Sequence, residues 1–466
     1  MNRRLALQII DCLRVAGPAE SDFAPLKTWD GRSWLAMLPW LHTSGLALPL
    51  LRTLRIRGSE NLLPPDVRTR LERNQADNQA RVDRMAEEFA ALNRCFEDAG
   101  IRFAALKGFA LIPDYSPDAS LRSQADFDYL VAPESQSQAE RALRAASYVR
   151  KSQEDRSPVV FFHSARPLRI PASDDDLYSA ALPRRLELHT GLWNAGPELI
   201  RPRSLAAALD RTQPREWQGL RLPALADEDA FTFQILHALR HIFDFWCRLS
   251  LLLEIAYFLK RRAHDAVFWR RFISRTSGDP GLPGAAGIVL PLAAELFGAS
   301  VPAALGEWLR ESTPRAVKLW AEHYGRECAL GNFMGDKFSL LLLREFIPNP
   351  VAWRTVFGRR LFPIHRPNRA VEAASTRMSA RVEAGLKQSL HVARRFRFHV
   401  VSGLRLGWEF PRWERVLRSA STPDEHRAAR IAEPVSTAVP VRLGERSAAR
   451  SGTAAVATGR GLKEIF

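Results

Sequence analysis

Asp126 and Asp128 flank Phe127 and run into Tyr129-Leu130-Val131. In an extended strand alternate side chains share a face, so both carboxylates project together and Phe127 and Tyr129 point the other way. Two ionised carboxylates side by side repel and require a compensating charge. A divalent cation is the usual one, and Mg²⁺ prefers carboxylates together with the phosphate oxygens of a substrate. Upstream, the apolar run Phe103–Leu106 ends in Lys107-Gly108. A lysine at a strand end offers a point charge to phosphate. A glycine beside it leaves room for close backbone approach, and its amide can donate to phosphate if it opens a helix. Downstream, Arg184–Thr190 reads RRLELHT, with Leu186 and Leu188 facing one way and Glu187 and His189 the other. Read from the residues alone, Glu187 is the solvent-facing member of an edge strand. The acidic run Asp174–Asp176 reads as a solvated turn.

Leu106-Lys107-Gly108, then a helix, then Arg122 ahead of Asp126, Asp128, Leu130 and Val131, resembles an uncharacterised bacterial nucleotidyltransferase-like family. That family lies within the DNA polymerase β-type superfamily. The resemblance implies transfer of a nucleoside monophosphate from an NTP to an acceptor, with two metal ions, Mg²⁺ or Mn²⁺, held by three carboxylates. Asp126 and Asp128 would be two of the ligands. Glu187, within Glu187-Leu188-His189, matches the family's third; Thr190 stands where the family has an aromatic residue. Lys107 and Gly108 would replace the Gly-Ser phosphate loop of other superfamily members. Arg122 would brace the triphosphate or the carboxylates; its ordinary alternative is a salt bridge to Asp126 or Asp118. RLSLLLEIAYFL, from Arg248, resembles the family's second helical signature, with Glu254 where the family has Asp.

These residues need elements to hold them. A long, largely polar helix is expected over Asp66–Ala99, delivering the chain into a strand at Ile101. A short helix is expected over Phe109–Tyr115, strands over Asp126–Val131, Val159–His163 and Arg184–Thr190, and a helix from Pro133 to Ser147. Leu168–Pro171 is a candidate hairpin partner for Val159–His163. A wide apolar face made by Phe231, Ile235, Leu239 and Ile242 predicts a helix capped by Asp227. His237 and His241, at i,i+4, could share a metal, but without further ligands they read as histidines at the edge of a core. Gly and Pro punctuate 276–302, which reads as a loop or boundary. Pro348–Arg369 reads as a linker.

The expected class is thus α+β: a small mixed sheet flanked by helices, set between all-α N- and C-terminal regions. The divisions are a helical region at 1–100, the α/β core at 101–200, and a helical domain at 225–346. A linker with a basic, aromatic helical region follows at 347–418, then a disordered tail at 419–466. A chain of 466 residues with 46% hydrophobic content can build several cores. No apolar run approaches the ~20 residues that cross a bilayer. Cys12, Cys95, Cys247 and Cys328 lie far apart without C-x-x-C, which argues against a zinc site or disulfide framework and for a cytoplasmic protein. No Gly-Lys-Ser/Thr marks a P-loop. The net charge of +16 favours anionic partners. Arg394, Arg395, Arg397, Phe396 and Trp408 suggest one surface for them, nucleic acid or membrane; otherwise they form an ordinary amphipathic helix. The readings that compete with a transferase are an NTP-binding protein without turnover and a basic adaptor.

Overall fold

A computed structural model describes residues 2–151, 158–164, 177–179, 182, 184–194, 196, 198–331, 336–363 and 378–420. At its centre is a seven-stranded mixed sheet ordered β3-β4-β5-β2-β1-β7-β6. Its strands are β1 (Phe103–Ala105), β2 (Asp126–Val131), β3 (Tyr148–Arg150), β4 (Val159–His163), β5 (Arg185–His189), β6 (Gln213–Trp217) and β7 (Leu220–Ala224). β2 runs antiparallel to β1 and parallel to β5, and β1 is parallel to β7. The α+β expectation therefore holds.

Alternation along the strands gives the sheet two different faces. Phe127, Tyr129, Val131, Leu186 and Leu188 join one core with Val82, Met85, Phe89 and Phe96 of the long helix Pro65–Asp98. The Phe89 ring stacks on that of Tyr129 at 5.6 Å. Ala104, Leu106 and Leu130 join a larger core on the other side, built from the N-terminal helices and those beyond residue 227. The carboxylates of β2 and β5 share this second face.

Several expectations need correction. The segment after Lys107 is a single 3₁₀ turn, Gly108–Leu111, not a helix to Tyr115. β4 pairs with β3 and β5; Leu168–Pro171 and Asp174–Asp176 fall outside the described residues. The helix Asp227–Phe243 is preceded by Ala226, and Asp227 is committed to ion pairs with Arg215 and Arg262, so it is not the cap. Most of the Gly/Pro-rich stretch is a buried helix, Leu282–Phe297. Its glycines serve packing: a Cβ on Gly287 would lie 2.3 Å from the Thr313 side chain. Apolar burial outweighs the weak helix propensity of glycine there. The linker expected at 348–369 begins with a helix, Pro350–Leu361, capped by Asn349 through the amides of Val351 and Ala352. Residues 421–466 lie outside the described residues.

Among the described residues, no single helix is long and apolar enough to cross a membrane. Gly31–Ser44 and Ala47–Ile56 reach that composition only together, across a 112° bend, and their large apolar residues are mostly buried.

Candidate active site

The parallel β2–β5 register sets Asp126 beside Arg185, Asp128 beside Glu187 and Leu130 beside His189. Period-two alternation puts all of these on one face of the sheet. Asp128 and Glu187 are consequently adjacent, and β5 is interior to the sheet with Glu187 7% exposed. Glu187 is not the solvent-facing member of an edge strand. Ligand atoms of Asp128, Glu187 and His189 all lie within 4.8 Å of one another. Asp126, at the strand's start, is the more open carboxylate, its side chain 21% exposed.

Basic side chains meet this acidic group from three directions. Lys107 Nζ donates to Asp128 Oδ1 at 2.9 Å. His189 Nε2 lies 3.2 Å from the same oxygen and 3.7 Å from Glu187 Oε2. The Arg185 guanidinium lies 3.5 Å from Asp126 Oδ2 and 3.7 Å from Glu187 Oε1. Asp128 Oδ2 is buried without a hydrogen-bond partner. Burial alone would raise the Asp128 pKa, but Lys107 and His189 outweigh it and hold the carboxyl well below its usual range. Glu187 goes the other way: burial, then the charges of Asp128 and Asp126, push it up to about 8. Burial opposes the Lys107 charge, yet Asp128, Asp126 and Glu187 prevail and raise its pKa. The site thus separates two neighbouring carboxyls in acidity, as catalytic sites do.

Gly108 has a left-handed φ of 63°, and a Cβ there would meet the Gln124 side chain at 2.2 Å. Gln124 uses that space to donate to the carbonyl of Asp126 at 2.9 Å. Gly108 thus lets the strand carrying the aspartates be clamped beside Lys107. Arg122 is not paired with Asp126 or Asp118. Its guanidinium forks onto Glu254 at 2.8 and 3.3 Å and reaches the carbonyl of Gly108 at 3.5 Å. Glu254 of the helix Leu249–Arg261 therefore anchors the lysine-glycine loop from the helical side.

The histidines of Asp227–Phe243 belong to this surrounding. Phe233 lies 5.9 Å from Lys107 Nζ, and the rings of Phe233 and His237 stack at 6.3 Å. Burial lowers the His237 pKa well below its usual value, helped by the Lys107 charge, and lowers that of His241 to about 4. Both are neutral walls of the site.

The sequence reading did not single out Arg185 or Arg81. The alternation that placed Glu187 also places Arg185 two residues earlier on the same face. Arg81 is fully buried in the long helix; it donates to the carbonyls of Gln124 and Ser179, each at 2.8 Å. Asn78, one turn earlier, donates to the carbonyls of Ser120 and Arg122. Together they pin the loop that delivers Asp126. The signal was Asn74, Asn78 and Arg81 at helical spacing on a helix that looked solvated.

The fold is thus an α+β mixed sheet with Asp126, Asp128 and Glu187 on the face that packs against the larger helical core. Residues 30–298 match the model of a family described as an uncharacterised nucleotidyltransferase, and the chain belongs to that family. No curated protein and no solved structure matches the chain.

Proposed function

We propose that the chain is a metal-dependent nucleotidyltransferase that moves a nucleoside monophosphate from an NTP to a hydroxyl acceptor. The observation that carries this reading is the Asp128–Glu187 pair on adjacent strands, with Asp126 and Lys107 on the same face. The donor set fits Mg²⁺ or Mn²⁺: carboxylates dominate, and Asp128 Oδ2 is a buried acceptor without a partner. Asp126, Asp128 and Glu187 would hold the ions, two on the superfamily pattern, with His189 next to them. Bound ions supply Lewis-acid stabilisation of the phosphate oxygens and acidify an acceptor hydroxyl.

The chain's own groups do the rest. Lys107, paired with Asp128, lies where it would meet the β- or γ-phosphate of a triphosphate as a point charge. Arg185 holds Asp126 and Glu187 in register. Arg122 keeps the Lys107-Gly108 loop against Glu254, so it positions the phosphate loop rather than leading phosphate contact. Phe233 and neutral His237 exclude water without adding charge.

The test is incubation with each labelled NTP, Mg²⁺ or Mn²⁺ and cell extract, reading pyrophosphate release and the labelled acceptor. The Asp126→Ala/Asp128→Ala variant should lose both metal-dependent NTP binding and release. A second reading is an NTP-binding protein without turnover, favoured by the internal commitment of Lys107 and Arg122 to carboxylates. NTP binding without pyrophosphate release would select it.

A further inference from the structure

The terminal helix Met378–Ala420 has two unlike sides. Ser402, Leu406 and Trp413 are buried against the helical core. Trp413 meets Tyr324 edge-on at 5.8 Å. The opposite side carries Leu386, Leu390, Val401, Leu404 and Trp408, all exposed. Their spacing of three, four or a whole number of turns places them on one stripe. Leu404 is 72% exposed and Trp408 71%, and Phe396, to one side of the stripe, is 70% exposed. From Leu386 to Trp408 the stripe runs about 33 Å. So long an exposed apolar row on one element marks a docking surface.

Charge decides the occupant. The helix holds nine Lys and Arg against three Glu, a net +6. Arg394 and Arg412 border the stripe; Arg397 and Arg415 lie within it. A second copy seated on this stripe would bury those two guanidinium groups in a like-charged seam, which is costly. Nucleic acid would use the arginines but has no partner for a row of leucine and valine. An anionic lipid surface uses both: aliphatic and Trp side chains enter the headgroup boundary while arginines reach lipid phosphates. Arg412 already lies 5.3 Å from the Trp408 ring centroid, so cation and aromatic sit at one level.

We infer that the outer face of the Met378–Ala420 helix docks the protein on an anionic membrane surface, lying in the plane of the interface.

The experiment is co-sedimentation of the full chain with phosphatidylcholine vesicles, with and without phosphatidylglycerol, across a salt series. Wild type should bind the phosphatidylglycerol vesicles and fall off steeply with salt. Leu404→Ser/Trp408→Ser should bind about tenfold or more weaker, because two exposed anchors are lost. Arg394→Glu/Arg397→Glu should lose binding to anionic vesicles selectively. All four side chains point to solvent, so circular dichroism should be unchanged; if one pair unfolds the chain, the other decides. Absence of binding to anionic vesicles at low salt would overturn the inference. So would wild-type binding by both double variants, RNA binding that the vesicles cannot displace, or a dimer that the Leu404→Ser/Trp408→Ser change dissociates.

Discussion

Gly108 shows how much of the site rests on single atoms. Alanine there meets both a left-handed φ and the Gln124 amide at 2.2 Å. Gly108→Ala should cost about 2 kcal/mol, measured by denaturant unfolding. Gly108→Ala/Gln124→Ala should recover the part due to the clash and keep the part due to φ. Lys107→Ala should weaken NTP binding, read by calorimetry, and also lower the melting temperature, because it strands the buried Asp128 carboxylate; wild-type affinity would remove the phosphate role. Asp128→Asn and Glu187→Gln should each lower turnover about a hundredfold or more, since each removes a carboxylate that would hold the metal ions. A fully active Glu187→Gln would remove Glu187 from the machinery.

Elements are held to one another by few, well-defined contacts. Arg122–Glu254 joins the phosphate loop to the helical wall with both side chains largely buried. Arg122→Ala strands the Glu254 carboxylate and should cost about 3 kcal/mol, and a double-mutant cycle with Glu254→Gln should show coupling rather than additivity. Lys337 ties the last helices down. Its ammonium donates to the Leu361 carbonyl and lies 5.5–6.0 Å from the rings of Phe362, Phe398 and Phe245. Burial, then the Arg360 charge, lowers its pKa to about 8. The unfolded lysine still binds a proton between pH 8 and 10.5, so the folded state gains stability as pH rises through that window. Melting temperatures of wild type relative to Lys337→Met should therefore climb between those pH values; a flat difference would show that the ammonium is not titrating.

For the whole molecule, the sheet is a partition between two cores, and the acidic face is the one turned to the larger helical core. The terminal helix contributes to that core through Leu406 and Trp413. Truncation at 385 should therefore destabilise the protein by several kcal/mol, about the sum of a Leu and a Trp deletion, whatever its surface binds. Residues 421–466 carry few large apolar residues, so deleting them should leave the melting temperature and NTP affinity nearly unchanged.

Local facts are legible in the chain alone. The bounds of β2 and the sharing of a face by Asp126 and Asp128 follow from strand alternation. So does the common face of Glu187 and His189, because the period of two is a property of the backbone. That β5 lies against β2 in parallel register is a property of the fold, since pairing joins segments far apart in the chain. That register, and not any spacing, sets Glu187 beside Asp128 and makes Arg185 part of the site. The partner of Arg122 was likewise out of reach, because Glu254 arrives from a helix 132 residues away. Buried Asn78 and Arg81 looked solvated, since polar residues on a long helix are normally wet; here backbone carbonyls of Ser120, Arg122, Gln124 and Ser179 accept from them. The Gly/Pro-rich stretch near 282 folds as a helix for the same kind of reason: burial among neighbours that the local sequence does not contain overrides its own propensity.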